Sequence, residues 1–229
     1  MKKTIGIIGG MGPLATADLF KKIITITPAK SDNEHIRVVI DNNTNIPDRT
    51  AAILGKGRDP VSEMVRSAIS LENIGADLLI MPCNTAHYFY ERITPFVKIP
   101  FINMLEETAK EIKAKGIGKV GLLATSGTIN SGVYSRMFEK YGIEELHPVG
   151  CDQEEVMKII YDGVKAGNYD LDISGFLKVV DSLIAQGAQY LVLGCTELPI
   201  AFEMYDIKAD TIDPTLILAQ AAVKMALAE

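Results

Sequence analysis

The sequence predicts an α/β fold of two pseudo-symmetric domains, each with a four-stranded parallel sheet flanked by helices. Three observations predict it. Short β-rich runs ending in Gly, Asn, Asp or Thr alternate with longer amphipathic stretches, the pattern of βαβ crossovers. An internal repeat carries Gly75-Ala76-Asp77-Leu78-Leu79-Ile80-Met81-Pro82-Cys83-Asn84-Thr85 onto Gly187-Ala188-Gln189-Tyr190-Leu191-Val192-Leu193-Gly194-Cys195-Thr196-Glu197 at an offset of 112 residues. A neighbouring offset of 115 carries Ile5-Gly6-Ile7-Ile8 onto Val120-Gly121-Leu122-Leu123, so the repeat spans more than one element.

In the first half, strands are expected over residues 4–9, closed by a glycine pair, 37–41, closed by Asp41, 78–82, running into Cys83-Asn84-Thr85, and 100–104. Helices are expected between and after them, over 13–27, 59–73 and 106–115. The second half repeats this order, with strands over 119–124, 145–149, 190–193 and 211–213 and helices over 131–141, 154–166, 173–186 and 214–228. The expected division is residues 1–104 with 214–229 in one domain and 105–213 in the other. A site is expected in the cleft between them, because open parallel sheets bind ligands beyond the carboxyl ends of their strands.

Bulk properties narrow the function. A chain of 229 residues accommodates one large domain or two of about 100. With 48% hydrophobic and 23% charged residues and a mean hydropathy of +0.17, it is an ordered, well-buried protein. The net charge of -6 and the lack of a dense Lys/Arg stripe argue against nucleic acid as a partner. The apolar run within residues 1–10 is too short for a signal segment, and no run of 18 apolar residues offers a membrane span. Three cysteines, spaced by 68 and 44 residues, fit neither a disulfide scaffold nor a zinc site, so a cytoplasmic location and no metal are expected.

Cys83 and Cys195 occupy the same position of the repeat, at the strand-to-helix turn where chemistry collects. A lone free cysteine is more often a small buried hydrophobe. Two at matching polar strand ends, each followed closely by threonine, need another reason, whereas Cys151 shares the residue type but not the position and is read as structural or surface. Two facing thiols suit the removal and return of a proton at the α-carbon of a small carboxylic acid, with a base on one face and an acid on the other. A helix N-terminus after each thiol contributes only about 0.3–1 kcal/mol, less than one pKa unit. Nearby cations or the substrate ammonium must add to it, or a carboxylate must take the thiol proton; Asp48 and Glu197 are the candidates. Asn84, Thr85 and Thr196, with their backbone N–H groups at helix starts, are read as the clamp for an α-carboxylate. Thr125, Ser126 and Thr128, at the equivalent turn after 119–124, either extend that clamp or act as ordinary helix caps. His87 is read as structure at the pocket edge.

At these residues the chain resembles the aspartate/glutamate racemase superfamily. The resemblance rests on Gly9-Gly10-Met11-Gly12-Pro13, Ile46-Pro47-Asp48-Arg49-Thr50, Pro82-Cys83-Asn84-Thr85-Ala86-His87 and Gly194-Cys195-Thr196-Glu197-Leu198-Pro199, and it covers nearly the whole chain. Glu197, where glutamate racemases usually carry histidine, places the resemblance in the aspartate racemase branch. It implies a two-thiol racemase that needs no pyridoxal phosphate or other cofactor, acts on an amino acid, most simply aspartate, and forms a homodimer. It further implies that Arg49 and Lys165 hold the side-chain carboxylate of the substrate and that Met11 and Thr16 form a wall of the pocket.

Rival readings differ in class. A relative acting on glutamate, a hydantoin or a malonate stays closest. A nicotinamide enzyme would use Gly10-Met11-Gly12-Pro13-Leu14-Ala15 as a dinucleotide turn, but Asp41 lies 29 residues beyond Gly12 rather than about 20, and the paired cysteines go unexplained. A two-lobed amino-acid-binding protein would need no thiol.

Overall fold

Residues 2–228 are described in the computed structural model of the chain. They form two compact units, Met1–Glu107 with Thr215–Glu229, and Thr108–Pro214.

The first unit opens with β1 (Ile5–Gly9) and α1 (Pro13–Ile26), then β2 (Val38–Asn42), the short α2 (Arg49–Ile53), α3 (Val61–Asn73) and β3 (Leu78–Ile80). The sheet is parallel, in the order β2-β1-β3. Its β1 and β3 are fully buried, which is why both read as continuous apolar runs rather than alternating ones. On one side Ile5, Ile7, Leu78 and Ile80 pack with Leu19 and Ile23 of α1 and with Leu218, Ala219, Ala222 and Ala226 of the C-terminal helix α11 (Pro214–Leu227). Ile8, Leu79 and Met81 meet Met64, Ala68 and Leu71, one stripe of α3, on the other.

The second unit contains β4 (Lys119–Leu123), α6 (Ser126–Ser131), α7 (Val133–Tyr141), β5 (Glu144–Leu146), α8 (Cys151–Lys158), α9 (Ser174–Ala185), β6 (Tyr190–Leu193), α10 (Leu198–Met204) and β7 (Thr211–Ile212). Helix α5 (Met104–Ala114) leads into it, and α4 (Tyr90–Ile93) precedes α5. The sheet order is β5-β4-β6-β7, again parallel.

The repeat is a packing repeat. A Cβ on Gly6 would lie 2.8 Å from Leu79, 2.9 Å from Ala76 and 3.3 Å from Leu71; one on Gly121 would lie 2.8 Å from Leu191 and 3.3 Å from both Ala188 and Leu183. Each glycine therefore lets the partner strand and the preceding helix close on the central strand. Gly75 and Gly187 both hold positive φ, 97° and 96°, where the helix turns into the strand. The strand entry is latched alike: Asp77 N–H donates to Thr4 O and Gln189 N–H to Lys119 O, while the Asp77 carboxylate accepts from Thr4 N–H and the Gln189 side chain from Gly118 and Lys119 N–H.

Several expected elements change. The fourth strand of the first half, 100–104, reduces to one bridge between Leu79 and Phe101, because the chain turns into α5 at Met104; that sheet has three strands, not four. The helix expected over 131–141 is α7, starting at Val133, and a further short helix, α6, precedes it, the two being separated by Gly132, which adopts the left-handed conformation. The helix over 154–166 starts earlier, at Cys151, and passes from α8 into a π-helical turn, Ile159–Lys165. Behind Cys83 lies a 3-10 turn, Thr85–Phe89, rather than the start of an α-helix.

Candidate active site

In the first unit, residues 81–83 leave the ladder beyond β3 and Cys83 N–H folds back onto Met81 O at 2.9 Å. The thiol-bearing residue is buried, as are Asn84 and Thr85. Since Asn84 and Thr85 open a 3-10 turn, the dipole argument for this thiol and for an anion clamp there loses its α-helix. His87 is also buried. Its Nδ1 lies 2.8 Å from Cys83 O, and its Nε2 accepts Met104 N–H at 3.1 Å. Burial pulls the imidazole pKa down from 6.5 to about 4, so the ring is neutral near neutral pH.

The first βα turn is latched by Thr16, whose hydroxyl accepts Gly10 N–H at 3.0 Å and donates to Gly12 O at 2.9 Å. Two positions of this turn offer nothing to a pyrophosphate, since the Gly10 N–H is taken by Thr16 and Pro13 has none. Arg49 reaches the same turn. Its guanidinium donates to Met11 O and Ile46 O, each at 3.3 Å, and to Pro47 O at 3.0 Å, while its buried Nε has no partner among the described residues. Asp59, an acid that could otherwise have paired with Arg49 at the surface, pairs with Arg92. Asp48 is exposed and caps α2, accepting Ala51 N–H at 2.6 Å. This carboxylate therefore has a capping task, and of the two candidate acids Glu197 is the one that meets a thiol directly.

In the second unit, Cys195 lies two residues beyond β6 and Glu197 two residues further on. Both are buried, and the Cys195 thiol donates to Glu197 Oε2 at 3.0 Å. Thr196 donates its hydroxyl to the same oxygen at 3.3 Å. The other oxygen, Oε1, accepts from Lys165 Nζ at 2.6 Å. Burial, then the negative Glu197, pushes the Cys195 thiol well above its ordinary pKa, and Lys165 partly opposes this. Cys195 therefore rests as a thiol with its proton aimed at a carboxylate.

The π-helical turn carries Lys165, with Nζ also 5.6 Å from the Tyr161 ring centroid, and α10 packs against it. Such turns have no sequence signature as plain as a heptad, and they recur at functional sites. Thr125 caps α6: its hydroxyl accepts Thr128 N–H at 3.3 Å and lies 3.1 Å from the Thr128 hydroxyl. Ser126 N–H points at Met157 Sδ, 3.2 Å away. Beside this turn is a residue that sequence reasoning missed, Gln153. Its Nε2 donates to Ala124 O at 2.9 Å, at the end of β4, while its buried Oε1 has no partner among the described residues. Nothing in the local pattern marks Gln153, since an amide in the first turn of a helix reads as surface. Cys151 is exposed at the start of α8, away from the repeat position.

Among the described residues, no group of three or more His, Cys, Asp or Glu is placed to hold a metal ion, and no helix is long and apolar enough to cross a membrane.

Comparison with known proteins agrees across the whole chain. Residues 8–222 match the profile of Asp/Glu/hydantoin racemases. The chain is 28% identical over 229 residues to a broad-specificity amino-acid racemase of Bacillus subtilis, covering 98% of each. Among solved structures, it is similar to the aspartate racemase of Picrophilus torridus, with 35% identity, a TM-score of 0.83 and coverage of 98% of this chain and 94% of that one. An aspartate racemase homologue of Pyrococcus horikoshii superposes with a TM-score of 0.78 at 27% identity, over 99% of each chain. The glutamate racemase of Francisella tularensis shares the fold, with a TM-score of 0.70 at 21% identity, over 98% of this chain and 81% of that one. The twofold repeat, the thiols at its matching ends and these similarities lead to one conclusion: the chain belongs to the Asp/Glu/hydantoin racemase family and is a racemase, an isomerase.

Proposed function

We propose that the chain interconverts L- and D-aspartate by a two-thiol transfer of the α-proton, without pyridoxal phosphate. The observation that carries this reading is the Cys195–Glu197–Lys165 relay, with a thiol-to-carboxylate distance of 3.0 Å, at the repeat position that Cys83 occupies in the first unit. In the proposed step one sulfur, as thiolate, takes the proton from the α-carbon, breaking the C–H bond and leaving the electron pair on carbon. The other sulfur, as thiol, delivers its proton to the opposite face, forming the new C–H bond. The first sulfur ends as thiol and the second as thiolate, so the pair is ready for the opposite enantiomer.

Glu197 resets Cys195 by taking or returning its proton across their hydrogen bond. Lys165 holds the other oxygen of that carboxylate in an ion pair and so fixes its orientation. An ammonium has three N–H donors, so its pairing with Glu197 is compatible with contact to a substrate carboxylate. The Arg49 guanidinium has an uncommitted Nε and no carboxylate partner among the described residues, which suits bidentate capture of an anion. The similarity to the aspartate racemase of Picrophilus torridus supports aspartate, and that to the broad-specificity enzyme of Bacillus subtilis supports a wider range.

The test is a panel of L-amino acids in D₂O, followed by circular dichroism of the active ones. Aspartate should exchange its α-proton fastest, and Cys83→Ser and Cys195→Ser should each abolish racemisation. Undiminished racemisation by either variant refutes the two-thiol reading. Faster exchange of glutamate or alanine refutes the choice of aspartate.

A further inference from the structure

The scheme above makes no use of His87, yet its imidazole is tied to the thiol-bearing residue of the first unit. Met104 N–H donates to Nε2, so Nε2 carries no proton; the ring hydrogen is on Nδ1 and is donated to Cys83 O at 2.8 Å. The ring is locked from the side as well. It stacks on Tyr90, with centroids 5.8 Å apart and planes at 7°, and the Tyr90 hydroxyl donates to Phe101 O.

At the far end of this strut is the start of α5, where unpaired N–H groups must find acceptors. Asn103 Oδ1 accepts those of Leu105 and Glu106, at 3.0 and 3.1 Å, and Asn103 O accepts that of Glu107 at 3.1 Å. His87 Nε2 takes that of Met104, the first residue of the helix.

The second unit shows what the ring replaces. There, Leu198 N–H donates to Cys195 O at 2.9 Å, so the backbone itself pins the thiol-bearing residue. In the first unit the chain coils into the 3-10 turn Thr85–Phe89, and the carbonyl of Cys83 meets an imidazole instead.

We propose that His87 is a positioning residue for Cys83: its neutral Nδ1-protonated imidazole clamps the Cys83 carbonyl to the first N–H of α5 and so sets where the sulfur points. The proposal rests on the reading of Cys83 as a proton-transfer thiol. A ring that merely filled space would be replaceable by any side chain of similar bulk; a clamp requires the hydrogen bond.

The experiment compares His87→Leu, which keeps apolar bulk, with His87→Asn, whose amide can still donate to Cys83 O. Racemisation of aspartate gives kcat and KM, and peptide mass spectrometry gives the separate rates at which iodoacetamide alkylates Cys83 and Cys195. His87→Leu is expected to lower kcat at least tenfold with KM within twofold, and to change Cys83 alkylation at least fivefold while Cys195 stays within twofold. His87→Asn is expected to restore kcat to within threefold of wild type. Equal losses in the two variants, or alkylation of both thiols moving together, overturn the clamp. If His87→Leu yields no folded protein, His87→Asn decides alone: a Cys83 alkylation rate within twofold of wild type supports the clamp, and a fivefold change confined to Cys83 overturns it. Failure of the parent reading looks different, since Cys83→Ser would then racemise at the wild-type rate whatever the His87 variants do.

Discussion

Lowering the pH from 7.5 to 5 is expected to cost the first unit about 2 kcal/mol of stability through His87 alone. In the unfolded chain its imidazole takes up a proton as the pH falls through 6.5, whereas in the folded unit it resists until about 4. Between those values the unfolded state binds more protons, so stability falls with pH; the loss is complete below pH 4, at about 3 kcal/mol from one pKa unit being worth 1.36 kcal/mol. The physical source is burial, which penalises an imidazolium that has only one carbonyl to donate to, because a backbone N–H already faces Nε2. Two-bond proton–nitrogen spectra of the imidazoles should show His87 neutral and protonated on Nδ1 at pH 5, with His35 and His147 as references in the same spectrum. Native-state hydrogen exchange of the β1 and β3 amides reads the first unit by itself, and the pH-dependent loss there should shrink in His87→Asn. A His87 ring that titrates near 6.5, or that carries its proton on Nε2, refutes the argument.

Glu197→Gln should lower racemisation by about 10²–10⁴, the usual worth of a positioned acid–base group, because an amide cannot take the Cys195 proton; a rate within threefold of wild type by circular dichroism would show that Glu197 is not the proton acceptor. Gly6→Ala and Gly121→Ala should each destabilise by about 1–3 kcal/mol, since each new methyl meets a leucine at 2.8 Å in a packed core; urea unfolding checks this, and a neutral result at either site would show that the close approach of strand and helix there relaxes freely.

Much of this architecture was legible in the sequence because the repeat has a packing cause. Gly-Ala pairs at 75–76 and 187–188, and glycines at 6 and 121, are residues that the close approach of helix and strand demands, so the pattern that revealed two copies is the one that holds each together. The missing strand at 100–104 was not legible, because Pro100-Phe101-Ile102-Asn103 has the apolar character of a strand and only the docking of Asn103 and His87 on the start of α5 shows that the helix begins there. The π-helical turn was invisible for a related reason: the apolar spacing of Ile159, Ile160 and Val164 also fits an ordinary helix. Glu197 was legible as a candidate because it follows Cys195 so closely, but its hydrogen bond to the thiol needed geometry. The cap that Asp48 makes on α2 was likewise invisible in its motif.

The two thiols are equivalent by position in the repeat but not by surroundings. Thr85 stands where the second copy has Glu197: the Cys195 thiol has a carboxylate within hydrogen-bond distance, whereas the residue bearing the other thiol has its own backbone carbonyl held by an imidazole. This asymmetry does not conflict with a reaction that is symmetric overall. Enantiomers have equal free energies in water, so kcat/KM must be the same in both directions whatever the two sulfurs cost to ionise. On the proposed two-thiol scheme their difference has only one place to appear, in kcat and KM taken separately, because the enzyme form that would bind one enantiomer carries its proton on the other sulfur. A thiol pushed up by burial and Glu197 favours the form with the proton on Cys195. The enantiomer that this form binds should therefore show the lower KM and, with equal kcat/KM, the correspondingly lower kcat.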